Sequence, residues 1–245
     1  MPSTEDHPEF RLPVSRHQRI WRYMSFAKFM AFLMRGSLWF SRIDFFDDPF
    51  EGKYPWETIR RYGGPSEMGN IEDIENMRQW TYANCWYMSD HESAAMWRLY
   101  ASTNEAVAVQ STYEQLHLEL PETCYVGEVK YIDFDRDFLD LGNYFSPFMH
   151  KRISFAHERE LRALIHDSEP AEIPTGQPDT VKHDKEMRNT LSGLEINVDI
   201  HRLVKRIYVA PVAPHWFKKL IRDVSILQGF NENQVVTSSL EAVPY

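Results

Sequence analysis

The 245-residue chain predicts one α+β domain, with a mixed or antiparallel sheet flanked by helices. Three observations carry this reading. Strand-like and helix-like segments follow one another in mixed order rather than in strict alternation. Apolar residues make up 43% of the chain, enough for a real core at this length. Aromatics reach 14%, and such a surplus supplies large buried areas and often lines clefts.

Residues 1–18 carry charges and prolines without periodicity and read as a flexible lead-in to a domain spanning 19–245. Arg19 to Met24 is a short β-prone run. Phe26, Phe29, Met30, Leu33 and Met34 then fall on one helical face, with Ser25 as N-cap and Gly36 just past the end. Leu38 to Ile43 reads as a strand, and Asp44 to Gly52 as a loop forced by Pro49 and Gly52.

A polar connection through Gly63-Gly64-Pro65 leads to a strand at Ala83–Met88 and a short helix at Glu92–Tyr100. The Val-Ala-Val core of Glu105–Ser111 marks the clearest strand. Tyr113–Leu120 suggests a helix stopped at Pro121, and Cys124–Ile132 a further strand. Phe145, Phe148, Met149, Arg152 and Phe155 give a helical face, followed by a strand at Glu160–Ile165. Residues 167–190 turn to Pro, Glu, Asp and Lys and read as an exposed loop. Strands at Leu194–Val198, Arg206–Val209 and Val235–Thr237, with a helix at Trp216–Ile226, complete the chain.

The formal charge of -9 argues against a broad basic surface for nucleic acid or anionic membrane. No run reaches the roughly 18 apolar residues of a membrane span. Two cysteines, Cys85 and Cys124, offer no disulfide framework and no metal pair, so a reducing, cytoplasmic setting without structural metal is expected. The histidines form no HxxxH or HxH pairs. The phosphate-binding glycine loops and the GxSxG elbow are absent as well.

Two constellations can carry chemistry. Asp44, Asp47, Asp48 and Glu51 crowd four carboxylates into eight positions, which favours binding a divalent cation, raising one pKa, or pairing with Arg or Lys; turn capping is the plainer alternative. The segment from Lys151 to Arg162 holds Glu158, Glu160 and Arg162 at a spacing of two. On a strand these share a face, so a row of ionisable groups looks onto solvent or a cleft. The alternative is a solvated edge with a Glu–Arg ladder. Trp97 and Tyr100 share a helical face that reads as core before it reads as a ligand site, and Ser111-Thr112 reads as a helix N-cap before a ligand contact.

Trp21-Arg22-Tyr23-Met24, Leu38-Trp39-Phe40-Ser41, Asp48-Pro49-Phe50-Glu51, Met96-Trp97 with Tyr100, Lys151 and Glu158-x-Glu160-x-Arg162 together resemble the bacterial domain-of-unknown-function family numbered 2971, over roughly Arg19 to Pro211. A more distant similarity points to the ADP-ribosyltransferase fold, through Arg22, Ser111-Thr112 or Ser41, and Glu158-x-Glu160 in that order. The resemblance implies an enzyme acting on nicotinamide adenine dinucleotide (NAD) and a macromolecular acceptor, as a toxin or phage-defence effector. Arg22 would then hold the phosphates, with Ser41, Ser111, Thr112 and Tyr100 lining the ligand. Glu160 would stabilise the ribosyl cation as nicotinamide leaves, and Glu158 would orient or deprotonate the acceptor. Two other readings stay open. One is a metal-dependent nuclease or phosphodiesterase on the acidic loop with Lys151; the other is a non-catalytic module whose aromatic cleft, Trp97 included, binds protein or nucleotide.

Overall fold

The computed structural model describes residues 7–63, 76–100, 104–167, 172–174, 181–183 and 186–241. Strand β1 (Arg19–Ser25) runs directly into α1 (Phe26–Arg35) because Ser25 turns from extended backbone to accept the amide of Lys28. Gly36, at φ 59°, closes the helix in the left-handed region that a side chain would oppose. Phe29, Phe32 and Leu33 form its buried stripe; of the predicted face Phe29 and Leu33 are buried and Phe26 and Met30 half-buried, whereas Met34 is exposed and Phe32 takes its place in the core.

Strands β2 (Ser37–Arg42), β3 (Thr81–Met88), β4 (Ala106–Thr112), β5 (Tyr125–Glu128), β8 (Glu160–His166), β11 (Gly193–Asn197), β12 (Arg206–Val209) and β13 (Val235–Val236) join β1 in one sheet. Its order is β11-β2-β3-β1-β4-β12-β13, and β8 pairs with both β3 and β5. The pairs are antiparallel except β12 with β13, so the fold is a single α+β domain with a mixed, mostly antiparallel sheet.

The helices α2 (Trp56–Arg61), α3 (Ala94–Tyr100), α4 (Tyr113–Glu119), α5 (Ile200–Leu203) and α6 (His215–Leu227) complete the framework with α1. Phe29 and Leu33 of α1, Leu116 of α4, and Phe217 and Ile221 of α6 pack with Ile20, Val107, Val109 and Ile207 of the sheet. A side chain of this size stabilises by roughly 1.5–3 kcal/mol when fully buried, so this layer dominates the fold's free energy. A second, smaller cluster of Phe10, Ile43, Ala83, Phe148, Met149 and Leu164 covers the other face where β3 and β8 meet.

Four expectations change. The helix expected through Phe145–Phe155 is instead a 3-10 turn at Ser146–Phe148, strand β7 (His150–Arg152) and a second 3-10 segment at Ile153–Glu158. Pro147 removes a donor, and the backbone of 150–152 is engaged by parallel pairing with β6 (Lys130–Ile132). The single strand expected over Cys124–Ile132 therefore divides at Val129, where β5 joins β8 and β6 joins β7.

The lead-in is docked rather than loose over residues 7–18: Phe10 is buried against Tyr125 and Phe145, and the Arg11 carbonyl accepts the Glu128 amide at 2.8 Å. Within 167–190, β9 (Glu172–Pro174) pairs with β10 (Val181–His183), and Asn189 is tied back to Gln79 and Tyr82. Gly64 and Pro65 lie outside the described residues. Among the described residues no helix is long and apolar enough to cross a membrane, and both cysteines are free.

Candidate functional site

Strand alternation places Glu160 and Arg162 on one face of β8, in register with Tyr87 and Cys85 of β3. β8 is paired on both sides and so is no edge strand, and this face is covered by Glu51 and Phe148, which leave Glu160 and Arg162 buried. Arg162 is fully buried, and its planar fork is satisfied throughout. Nε and Nη2 donate to the two oxygens of Glu160 at 2.6 and 3.0 Å, and Nη1 and Nη2 to Glu51 at 2.9 and 3.2 Å. Nη1 also donates to the Phe148 carbonyl at 2.7 Å.

Glu51 reaches this point because the acidic loop turns inward at Gly52, at φ 71°, where a Cβ would stand 2.8 Å from the Phe148 ring. Lys151 of β7 completes the cluster, with Nζ 2.5 Å from Glu158, 3.1 Å from Glu51 and 3.6 Å from Glu160. Three carboxylates and two cations meet here, so the full set of ionised groups carries one net negative charge. Such a group is held in low dielectric only when nearly every donor and acceptor is matched.

Environment separates the carboxyl groups. Burial pushes Glu160 up, but Arg162, Lys151 and the Cys85 thiol outweigh it and hold the group at about 2. Burial raises Glu158 despite Lys151, with the Glu160 charge adding to the rise. The Lys151 ammonium loses hydration, yet Glu160 and Glu51 keep its pKa above the ordinary value.

Hydroxyl and thiol groups surround the acids. Tyr131 accepts the Glu160 amide at 2.9 Å, and burial with the nearby Glu160 raises its phenol. Tyr100 of α3 is 46% exposed, so its desolvation is only partial; that desolvation and then Glu158, Cys85 and Glu160 raise its phenol, which puts it near the same charges. Cys85 stays a thiol, because burial and Glu160 both oppose its ionisation.

Beside this cluster the sheet forks. One edge of β3 pairs with β2 through Tyr82 and Ala83 and with β1 through Tyr87 and Met88. Among the described pairings, residues 84–86 have no ladder partner on that edge, and side chains fill the gap. Asn84 donates to the Trp39 carbonyl at 2.8 Å and accepts the Trp86 indole at 2.7 Å.

Arg22 enters the same gap, with its guanidinium 6.0 Å from the Trp86 ring centre and Nη2 donating to the Trp39 carbonyl at 3.2 Å. Its Nη1 is buried without a hydrogen-bond partner among the described residues. Burial lowers its pKa, while Cys85 and Tyr100 are close enough to act on its charge in the opposite direction. A buried guanidinium donor left unmet costs free energy that a hydrogen bond to an oxyanion would relieve. The Trp39 indole lies across Gly193, where any side chain would collide with it, and remains 39% exposed at the rim.

The structure thus gathers Tyr100, Glu158, Glu160, Arg162, Lys151 and Glu51 into one region, and Arg22 borders it at Cys85 and Tyr100. Other predicted residues go elsewhere. Ser111 donates its hydroxyl to the Leu203 carbonyl at 2.5 Å, and Thr112 caps α4 through the Gln115 amide. Ser41 sits on β2 opposite Ala83, half-buried. Trp97 is buried as core, edge-on to Tyr23, with its indole donating to Glu92.

The acidic loop is dispersed among cations. Asp44 pairs with Arg42, and Asp48 takes a two-pronged contact from Arg152 while Glu51 goes to Arg162. Asp47 is exposed. Among the described residues no group of three or more His, Cys, Asp or Glu is placed to hold a metal ion. Cys85, Tyr131 and Asn84 join the region without having been singled out; the register of β3 against β8 brings in Cys85, and a tertiary contact brings in Tyr131.

No protein-family model matches the chain, and comparison with curated proteins and with solved structures gives no match either.

Proposed function

We propose that the chain is an ADP-ribosyltransferase-like enzyme that uses NAD as substrate and modifies a macromolecular acceptor. The observation that carries this reading is that Arg22, with its unmet buried donor, lies near Cys85 and Tyr100, and that these two feel the charge of Glu160 and, for Tyr100, of Glu158. The resemblance of the Arg22 strand and the Glu158-x-Glu160 segment to that enzyme class points the same way.

In chemical terms, Arg22 would take a phosphate oxygen of the dinucleotide. A carboxylate next to the ribose would favour the cationic, oxocarbenium-like transition state as the C1′–N bond breaks and its electron pair leaves with nicotinamide. The acceptor nucleophile then bonds to C1′ and gives up its proton. The clustered carboxylates of residues 44–51 support a metal-dependent nuclease less well, because Arg42, Arg152, Arg162 and Lys151 already engage three of the four.

The test is incubation of the full chain with labelled NAD and cell extract, comparing wild type with Arg22→Met. Label transfer or nicotinamide release by wild type, lost in the variant, supports the reading. A folded wild type that neither turns over NAD nor binds it in calorimetry sinks it.

A further inference from the structure

We propose that Glu158 is the working carboxylate of this site, that Glu160 is an anchor, and that Lys151 is the residue that positions Glu158. This rests on the NAD reading for the reaction, but not for the arrangement of charges.

The two glutamates of Glu158-x-Glu160 occupy different structures. Glu160 opens β8, where both oxygens are gripped by Arg162, and its side chain is 5% exposed. Glu51, with 0% exposure, is likewise held through both oxygens by the same guanidinium. A carboxylate gripped through both oxygens and closed off from solvent is out of reach of a ribosyl cation or an acceptor proton, and moving it would strand a buried arginine.

Glu158 ends the 3-10 segment, and Arg159 follows in the left-handed region at φ 39°. That kink separates Glu158 from the strand's alternation, so it is not placed on β8 at all. Its side chain is 13% exposed. Lys151 holds Oε2 at 2.5 Å, while Oε1 has no hydrogen bond among the described residues. One oxygen is thus fixed and the other available, the geometry a general base needs.

Lys151 is itself immobilised, by Glu51 at 3.1 Å and by the Phe155 ring at 4.8 Å. The buried Arg162–Glu51–Glu160 unit therefore orients Lys151, and Lys151 orients Glu158. The charged and titratable groups facing Glu158 are Lys151 of β7, Glu160 and Arg162 of β8, Tyr131 of β6 and Tyr100 of α3. In the transfer step the acceptor's O–H or N–H proton passes to Oε1 of Glu158 as the acceptor bonds to C1′ and nicotinamide leaves with the electron pair.

A readout that does not need turnover separates this inference from the NAD reading. A water-soluble carbodiimide with a labelled amine couples to protonated, accessible carboxyl groups, and peptide mass spectrometry locates the label. Across pH 4–8, Glu158 should take label while Glu160 and Glu51 stay unlabelled in the folded protein. Lys151→Met removes the cation that favours ionised Glu158, so its labelling should extend to higher pH; Lys151→Arg should restore the wild-type profile.

If wild type turns over NAD, Glu158→Gln should lower kcat at least 100-fold with an unchanged Tm, whereas Glu160→Gln should lower Tm. Preferential labelling of Glu160, or a Glu158 profile indifferent to Lys151→Met, overturns the assignment. Should NAD turnover be absent while the labelling behaves as stated, the NAD reading alone fails.

Discussion

Glu51 and Arg162, 111 residues apart in the chain, meet as a two-pronged ion pair with no solvent exposure on either side chain. The acidic loop and the Glu-x-Glu-x-Arg segment are therefore halves of one structure. Their union sets Lys151 and, through it, Glu158.

Removal of the arginine should expose the energetic consequence. Arg162→Met leaves buried Glu51 and Glu160 with Lys151 as their remaining cation, and removing one partner of such a buried pair costs about 3–5 kcal/mol. Arg162→Lys should rescue little, because one ammonium cannot reproduce the contacts to Glu160, Glu51 and the Phe148 carbonyl. Urea unfolding of the variants measures both effects, and a loss below about 1 kcal/mol would contradict the described network.

Acid should destabilise the fold through Glu160. Its folded pKa, about 2, lies below the ordinary 4.5, so its contribution is complete above pH 4.5 and fades as pH falls toward 2. The raised pKa of Glu158 acts in the opposite sense. Unfolding free energy measured from pH 7 down should show a slope between pH 4.5 and 2 that Glu160→Gln weakens. An identical slope in that variant would refute the assignment.

Arg22→Met should have a different signature from Arg162→Met. Because Nη1 has no partner to lose, the Trp39 carbonyl that Nη2 leaves keeps its bond from Asn84, and an apolar side chain suits the Trp86 ring, stability should stay within about 1 kcal/mol of wild type. Affinity for NAD should drop at least tenfold in calorimetry. Equal loss of stability and affinity would make Arg22 a structural residue.

Gly127 tests the docked N-terminal segment. A Cβ there would stand 2.7 Å from the Phe10 Cα, a backbone atom that cannot yield by rotating a side chain. Gly127→Ala should cost ~1–3 kcal/mol and raise hydrogen exchange at residues 8–12, leaving β8 protected. Unchanged exchange would show that the segment is not held as described.

Glu92 tests the link between α3 and the end of the chain. Its carboxylate accepts the Trp97 indole, both hydroxyls of Ser238 and Ser239, and the Ser239 amide. Glu92→Ala should release residues 238–241 to limited proteolysis and cost about 1–2 kcal/mol after allowance for partial exposure. Resistance equal to wild type would argue against this attachment.

What the sequence determined by itself is what depends on neighbours along the chain. Ser25, the Phe29–Leu33 stripe and Gly36 define α1, because capping and 3.6-residue periodicity are local physics. The strand character of β1, β4 and β8 and the loop at Asp44–Gly52 were legible for the same reason; Glu51, Lys151, Glu158, Glu160 and Arg162 stood out by residue type and spacing, and Arg22 through the resemblance alone.

Tertiary structure alone decided the rest. The Phe145–Phe155 pattern fits a helix until pairing with β6 takes the backbone of 150–152. Phe10 resembles loose chain until Gly127 offers it a seat. Glu158 and Glu160 look equivalent by spacing, and only the kink at Arg159 and the fully engaged Arg162 separate an anchored carboxylate from an available one. Desolvation and charge pairing depend on residues more than a hundred positions away, and local periodicity contains no information about them.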